Sequence, residues 1–192
     1  TEPLRSNPHF LSVALFEKIL ESLAPMKPKL ALLMFQFEYL NKQKMASQAA
    51  FMERFEAFRS SGPKEIPCAV EIRNPDYLNE AFFGFLKRNG LSAVFLQGYY
   101  MPPVFRIIPE ALPLLRSPAV IRLHGPGREG IEKETGKVWN RLAAPKDEEL
   151  DLLADRLTVM IDHGLDIYLN VNNHYEGSAP RTIAKIEALL EG

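Results

Sequence analysis

A parallel α/β protein built from repeated strand-helix units is what this sequence predicts, and three observations carry the prediction. Short apolar runs alternate with longer amphipathic ones. The short runs are nearly continuous in apolar residues, as expected of parallel strands covered on both faces. Polar side chains then gather where those runs end, and in parallel α/β proteins the loops at the carboxyl ends of the strands line the ligand site.

Strands are expected over residues 30–37, 67–73, 93–97, 119–123 and 166–171. The clearest helix spans 146–163. Asp147, Glu148 and Glu149 favour its positive end, Leu150, Leu153, Leu157 and Met160 form one stripe, and Gly164 ends it. The same reasoning places helices near 44–59, 78–88 and 180–190. Residues 1–26 supply a helix with Phe10, Val13, Phe16, Ile19 and Leu23 apolar, with no strand before it. The segment 125–145 has Gly, Pro and charge without a strong period and is expected to be a long loop, a candidate lid over the site. Trp139 lies in it with Arg128, Lys137 and Arg141, as a basic aromatic rim or as a local packing anchor. Tyr99 and Tyr100, following the third strand, offer a wall.

The chain of 192 residues, 46% hydrophobic and 24% charged, suits one globular domain. A formal net charge of −1 provides no global pull toward nucleic acid or an acidic membrane. Cys68, the single cysteine, allows no disulfide within the chain and reads as buried core in a reducing cytoplasm. No apolar segment approaches the ~20 residues of a membrane span. No strand-Gly-x-Gly-x-x-Gly-helix unit supports a dinucleotide, and no His-Glu-x-x-His motif supports a metal.

Residues two apart on a strand share a face. Gln36 with Glu38, Glu71 with Arg73, Arg122 with His124, and Asn170 with Asn172 therefore form polar pairs at the carboxyl ends of four apolar strands. Taken alone, Glu71 with Arg73 reads as a structural ion pair; repeated on four strands, the pattern points to one polar chamber. In it, Arg73 and Arg122 would hold an anion, Glu71 would act as general base or orient the arginines, and His124 would be the general acid. Asn172, Asn173 and His174 would meet hydroxyl-rich or nucleotide-like groups. Ser178 would cap a helix whose free N–H groups attract phosphate or carboxylate. Convergence of Glu38, Glu71, His124 and His174 on a metal is the less favoured reading.

Val70-Glu-Ile-Arg-Asn-Pro75, Ile121-Arg-Leu-His-Gly125 and Asn170-Val-Asn-Asn-His-Tyr-Glu-Gly-Ser-Ala-Pro180, preceded by Leu33-Met-Phe-Gln-Phe37, resemble the motifs of the YecE-like family of uncharacterised TIM-barrel-type proteins. The periodicity alone leaves an open doubly wound sheet and a barrel equal; the resemblance selects the TIM-barrel-like parallel (β/α) barrel. It implies that residues 1–192 form a single barrel domain holding about the last five of eight strand-helix units and lacking its N-terminal strands, since 1–26 do not match the family's opening motifs. Both outer strands are then expected to have an open edge. The resemblance brings no activity. From the residues, the leading expectation is an enzyme on a small anionic substrate, a phosphorylated sugar or nucleotide-like molecule. The alternatives are a nucleic-acid-processing enzyme of the barrel-nuclease type and a non-catalytic ligand-binding module. Cofactor and oligomeric state carry no expectation.

Overall fold

The computed structural model describes residues 7–125 and 127–192; Thr1 to Ser6, at the start of the expected first helix, and Pro126, in the expected long loop, lie outside the described residues. Five strands, β1 (Leu33–Gln36), β2 (Cys68–Glu71), β3 (Leu91–Gly98), β4 (Ala119–Gly125) and β5 (Ile167–Val171), form one sheet in sequential order. Every neighbouring pair is parallel. The helices are α1 (Val13–Leu23), α2 (Gln48–Ser61), α3 (Glu80–Arg88), α4 (Val104–Ala111), α5 (Arg128–Thr135), α6 (Asp147–Asp162) and α7 (Ala179–Glu191).

Alternation along the strands divides the side chains between two unlike faces. Leu33 and Phe35, Cys68 and Val70, Ala93 and Phe95, Ala119 and Ile121, and Ile167 and Leu169 meet the helices in the main core, with Phe51, Phe55, Phe83, Ile108, Leu150 and Met160 among their partners. The opposite face carries only a small apolar cluster of Ala69, Val94 and Val120, with Leu32 against it. A doubly wound sheet would carry helices on both faces and reverse its strand order at a switch point. Here the order runs straight from β1 to β5 with the helix core on one side, which is a TIM-barrel-like arrangement. Cys68 is buried at the core.

Helix α6 begins at three acidic residues and buries Leu150, Leu153, Leu157 and Met160, as the stripe requires. Helix α2 starts after Ser47, whose hydroxyl accepts from the Ala50 N–H. It brings Phe51, Phe55 and Phe58 into edge-on contact with Phe35 and Phe37 of the first strand region. Helix α1 turns differently from its expected stripe: Phe16 is buried, but Ile19 is exposed.

Two helices are additions to the expectation. In α4, Val104, Ile108 and Ala111 are buried, although Pro109 interrupts the helical ladder. Pro109 cannot donate to the Phe105 carbonyl, and Arg156 of α6 supplies that oxygen with a donor at 3.3 Å. The segment expected as a long loop contains α5, which buries only Ile131 and Thr135. The part that follows is pinned rather than free. The Ala143 N–H donates to the Glu176 carbonyl at 2.7 Å, and the Lys146 N–H donates to Glu176 Oε1 at 2.7 Å. This close approach needs a glycine at 177, where a Cβ would stand 2.8 Å from the Arg141 carbonyl oxygen.

Candidate functional site

The polar chamber is built on the face turned away from the helices. Glu71, at the end of β2, is fully buried. Its Oε1 accepts from Arg73 Nε at 3.0 Å and its Oε2 from Arg122 of β4. Arg122 Nη1 also donates to Gln36 Oε1 of β1 at 2.9 Å. A carboxylate with no exposure survives only when paired, and here both oxygens are held by guanidinium groups. Of the two roles expected of Glu71, this geometry suits orienting the arginines, because both oxygens already accept from guanidinium groups.

The two guanidiniums are not equally sequestered from the chamber. Arg122 and Arg73 keep 18% and 22% of their side chains accessible, but of the two it is Arg122 that borders a cavity. Arg122, His124, Asn170 and Asn172 line a cavity of about 450 Å³, with Met34 and Tyr168 as its apolar walls. Arg73 also lies over the Tyr99 ring, 5.2 Å from its centroid, and Tyr99 in turn sits 6.1 Å from the His124 ring. Burial and the Arg122 charge hold His124 below the ordinary imidazole value, so it favours the neutral form. In its neutral form the ring can accept a proton from a ligand.

Glu38 does not join the chamber. It lies beyond the end of β1, is exposed, and pairs with Lys44 at 2.8 Å. Strand parity no longer applies there, because the chain has left the sheet. Among the described residues no group of three or more His, Cys, Asp or Glu side chains converges as a metal site would.

Asn173 and His174 line a second cavity of about 380 Å³ with Arg128, Glu132 and Trp139. Asn172 lines both cavities. The backbone that carries these residues is placed by Gly125, which has φ +82° and lies so close to the next strand end that a Cβ would stand 2.2 Å from the His174 carbonyl oxygen.

Ser178 precedes α7, but its hydroxyl caps nothing. The Ala179 N–H donates instead to Asn173 Oδ1 at 2.8 Å. Beside this helix start the protein provides its own anion: Glu176, fully buried, accepts from Thr182 Oγ1 at 2.7 Å, Lys185 Nζ at 2.8 Å and the Lys146 N–H. Glu176 thus sets a buried carboxylate beside this helix start, while its backbone donor, Lys146, belongs to the start of α6.

The description "Protein of unknown function DUF72" matches residues 4–192. The chain belongs to that family. The YecE-like resemblance names the same family. Two solved DUF72 family proteins are similar in fold. One, from Enterococcus faecalis V583, is 18% identical with a TM-score of 0.65. The other, from Thermotoga maritima MSB8, is 21% identical with the same TM-score. In each case the alignment covers 94% of this chain and 66% of the other. The DUF72 chain thus spans just under two thirds of the length of these structures. No curated protein matches it.

Several residues around the DUF72 site escape sequence reasoning. Asn74 clamps the loop after β1, donating to the Leu40 carbonyl at 2.9 Å and accepting from its N–H at 2.8 Å. Gln97 does the same for α4 and α6, accepting from the Val104 N–H and donating to Glu149. Their one signal is an amide inside or directly after an apolar strand, a place where an unpaired polar group is costly. No described helix is long and apolar enough to cross a membrane.

Proposed function

We propose that the concave face binds a small anionic ligand, through a phosphate or carboxylate group held by Arg122 and Arg73, and that His124 exchanges a proton with it. The observation that carries this reading is the charge balance at Glu71: one buried carboxylate holds two arginines, leaving one positive charge beside a cavity of about 450 Å³. A planar guanidinium suits paired contact with phosphate or carboxylate oxygens. The neutral imidazole of His124 shares that cavity wall with Arg122, so an anion held there lies within reach of a proton acceptor. In this reading the protein is an enzyme on a phosphorylated sugar or nucleotide-like substrate. Glu71 fixes the arginines, Gln36 steadies Arg122, and Asn170 and Asn172 contact the ligand. A nucleic-acid substrate is less well supported, since the formal net charge is −1.

The test is thermal unfolding with increasing inorganic phosphate or sulfate. A ligand that binds the folded state alone raises the melting temperature with its concentration, by about 2.7 kcal/mol of stability at a hundredfold excess over Kd. Arg122→Lys should weaken that shift and Arg122→Ala should abolish it. A shift unchanged in Arg122→Ala would place the anion elsewhere. A pH–rate profile on any substrate found, with His124→Gln beside the parent, then separates catalysis from binding alone.

A further inference from the structure

The second cavity adjoins the chamber of Arg122, with Val171 and Asn172 at the end of β5 lining both. Its polar equipment is specific. Asn172 Oδ1 accepts from the His174 N–H at 2.9 Å, and Asn173 Oδ1 accepts from the Ala179 N–H at 2.8 Å. With both amide oxygens committed to backbone, each asparagine presents its NH2 group as a donor. Opposite them stands Glu132, whose Oε1 takes Arg128 Nε at 2.6 Å and lies 3.5 Å from His174 Nε2. That His174 nitrogen is buried and makes no hydrogen bond. Glu132 pairs with this nitrogen only if the ring is protonated, and a buried ring nitrogen so loosely held is costly unless a closer group completes it. Trp139 closes the cavity, its ring edge-on to His174 with centroids 5.1 Å apart.

We propose that this cavity is a ring subsite for the hydroxyl-bearing part of the ligand, so that the protein recognises a sugar phosphate: the phosphate on Arg122 and Arg73, the sugar ring against Trp139. The inference rests on the anion reading above and adds a second, chemically different contact region. Hydroxyl groups both donate and accept, and the cavity offers both complements, the two asparagine NH2 groups as donors and the Glu132 carboxylate as acceptor, with His174 Nε2 able to serve either way. The indole of Trp139 provides an apolar surface for the C–H patch that a sugar ring presents between its hydroxyls. The volume, about 380 Å³, lies toward the small end of ligand pockets, which run ~300–1,000 Å³, and suits one ring rather than an extended chain.

Trp139 is the single tryptophan of this chain, so its fluorescence reads the subsite directly. The experiment titrates the protein with ribose 5-phosphate, glucose 6-phosphate, the two free sugars and inorganic phosphate, following tryptophan emission and melting temperature together. At least one sugar phosphate should change the emission saturably and bind about tenfold tighter than inorganic phosphate. Phosphate alone should raise the melting temperature without changing the emission. Asn173→Asp keeps the oxygen that caps Ala179 but loses the NH2 donor; it should weaken the sugar phosphate about tenfold while leaving the phosphate shift in place. If phosphate stabilises the protein and no sugar phosphate moves the emission or gains affinity, the ring subsite is overturned and the anion reading stands. If free sugars move the emission while phosphate has no effect, the subsite stands and the anion reading falls. Glu132→Gln serves as the second variant. Unchanged sugar phosphate affinity in both variants would also overturn the assignment.

Discussion

Arg122 on β4 donates to the amide oxygen of Gln36 on β1 across 2.9 Å, although β2 and β3 lie between their strands. In a flat sheet, three strand spacings separate such residues by roughly 14 Å. Contact between them requires the sheet to curl around the polar face. The curvature and the site meet in Arg122, which bridges the strands and also lines the cavity.

Removing the centre of that bridge tests its weight. Glu71→Gln leaves two guanidinium groups facing a neutral amide in a largely enclosed place. Breaking a buried ion pair by removing one partner costs about 3–5 kcal/mol. Urea unfolding should show a loss of that order, and a loss below about 1 kcal/mol would mean that the arginines find equivalent partners in the cavity.

The five strands and their single-sided polar pattern are legible because period-two alternation survives as long as the chain stays in the sheet. It places Glu71, Arg122 and His124 on one face and fails at Glu38, two residues beyond β1. Helix α4 is hidden by Pro109, whose lost hydrogen bond is compensated by Arg156, a partner far along the chain. Helix α5 is hidden because only Ile131 and Thr135 are buried, too few to set a period. The role of Glu176 depends on Lys146, Thr182 and Lys185, brought together by α6 and α7. Nothing local in the sequence distinguishes it from a surface glutamate.

His124 gives the site a pH dependence of known sign. Burial first, and the Arg122 charge second, depress its folded-state value below the ordinary ~6.5. The unfolded chain therefore binds the proton more readily than the folded one. Stability contributed by neutral His124 is fully present above the unfolded value and is lost as pH falls below about 6.5 toward the lower folded value. In His124→Gln that decline should flatten. Unfolding measured between about pH 5 and 8 provides the check, and an identical profile in the variant would assign the dependence to other groups.

Gly125 holds β4 against the turn that carries His174. Gly125→Ala would put a methyl carbon 2.2 Å from a backbone oxygen at φ +82°, where an L-residue is strained. The strain alone costs about 1–3 kcal/mol, and the clash adds to it. The variant should melt at lower temperature. It should also lose phosphate-dependent stabilisation, because the end of β4 that carries Arg122 and His124 must shift. Retention of the full phosphate shift would separate the Gly125 contact from the site.

The start of α7 makes a paired prediction. Thr182 is fully buried and donates to the Glu176 carboxylate, a charge-assisted bond of the kind that contributes about 1.5–3 kcal/mol. Thr182→Val should cost about that much. Ser178→Ala should cost less than the ~1 kcal/mol of a lost helix cap, because Ser178 caps nothing here. Chemical denaturation of the two variants decides, and the reverse order would return the capping role to Ser178.

Backbone pairing at the outer strands makes the last prediction, at the level of single amides. In a parallel pair the N–H groups of alternate residues point to opposite sides of the strand. On β1, the Leu33 and Phe37 N–H groups donate to the Pro67 and Glu71 carbonyls, so Met34 and Gln36 direct theirs away from β2. Past the end of β5, the Asn172 N–H donates to the Leu123 carbonyl, so Val171, Leu169 and Ile167 direct theirs away from β4. Among the described residues β1 pairs only with β2 and β5 only with β4, whereas β3 pairs on both sides. Hydrogen exchange should therefore alternate along the outer strands, fast at Met34, Gln36, Ile167, Leu169 and Val171, slow at Phe35 and Asn170, and slow at the paired amides of β3, which meets β2 over Leu91–Ala93 and β4 over Val94–Gly98. If the outward amides of β1 and β5 are instead protected as strongly as those of β3, another strand lies along each edge, from the same polypeptide or a second copy, and the sheet continues beyond these five strands.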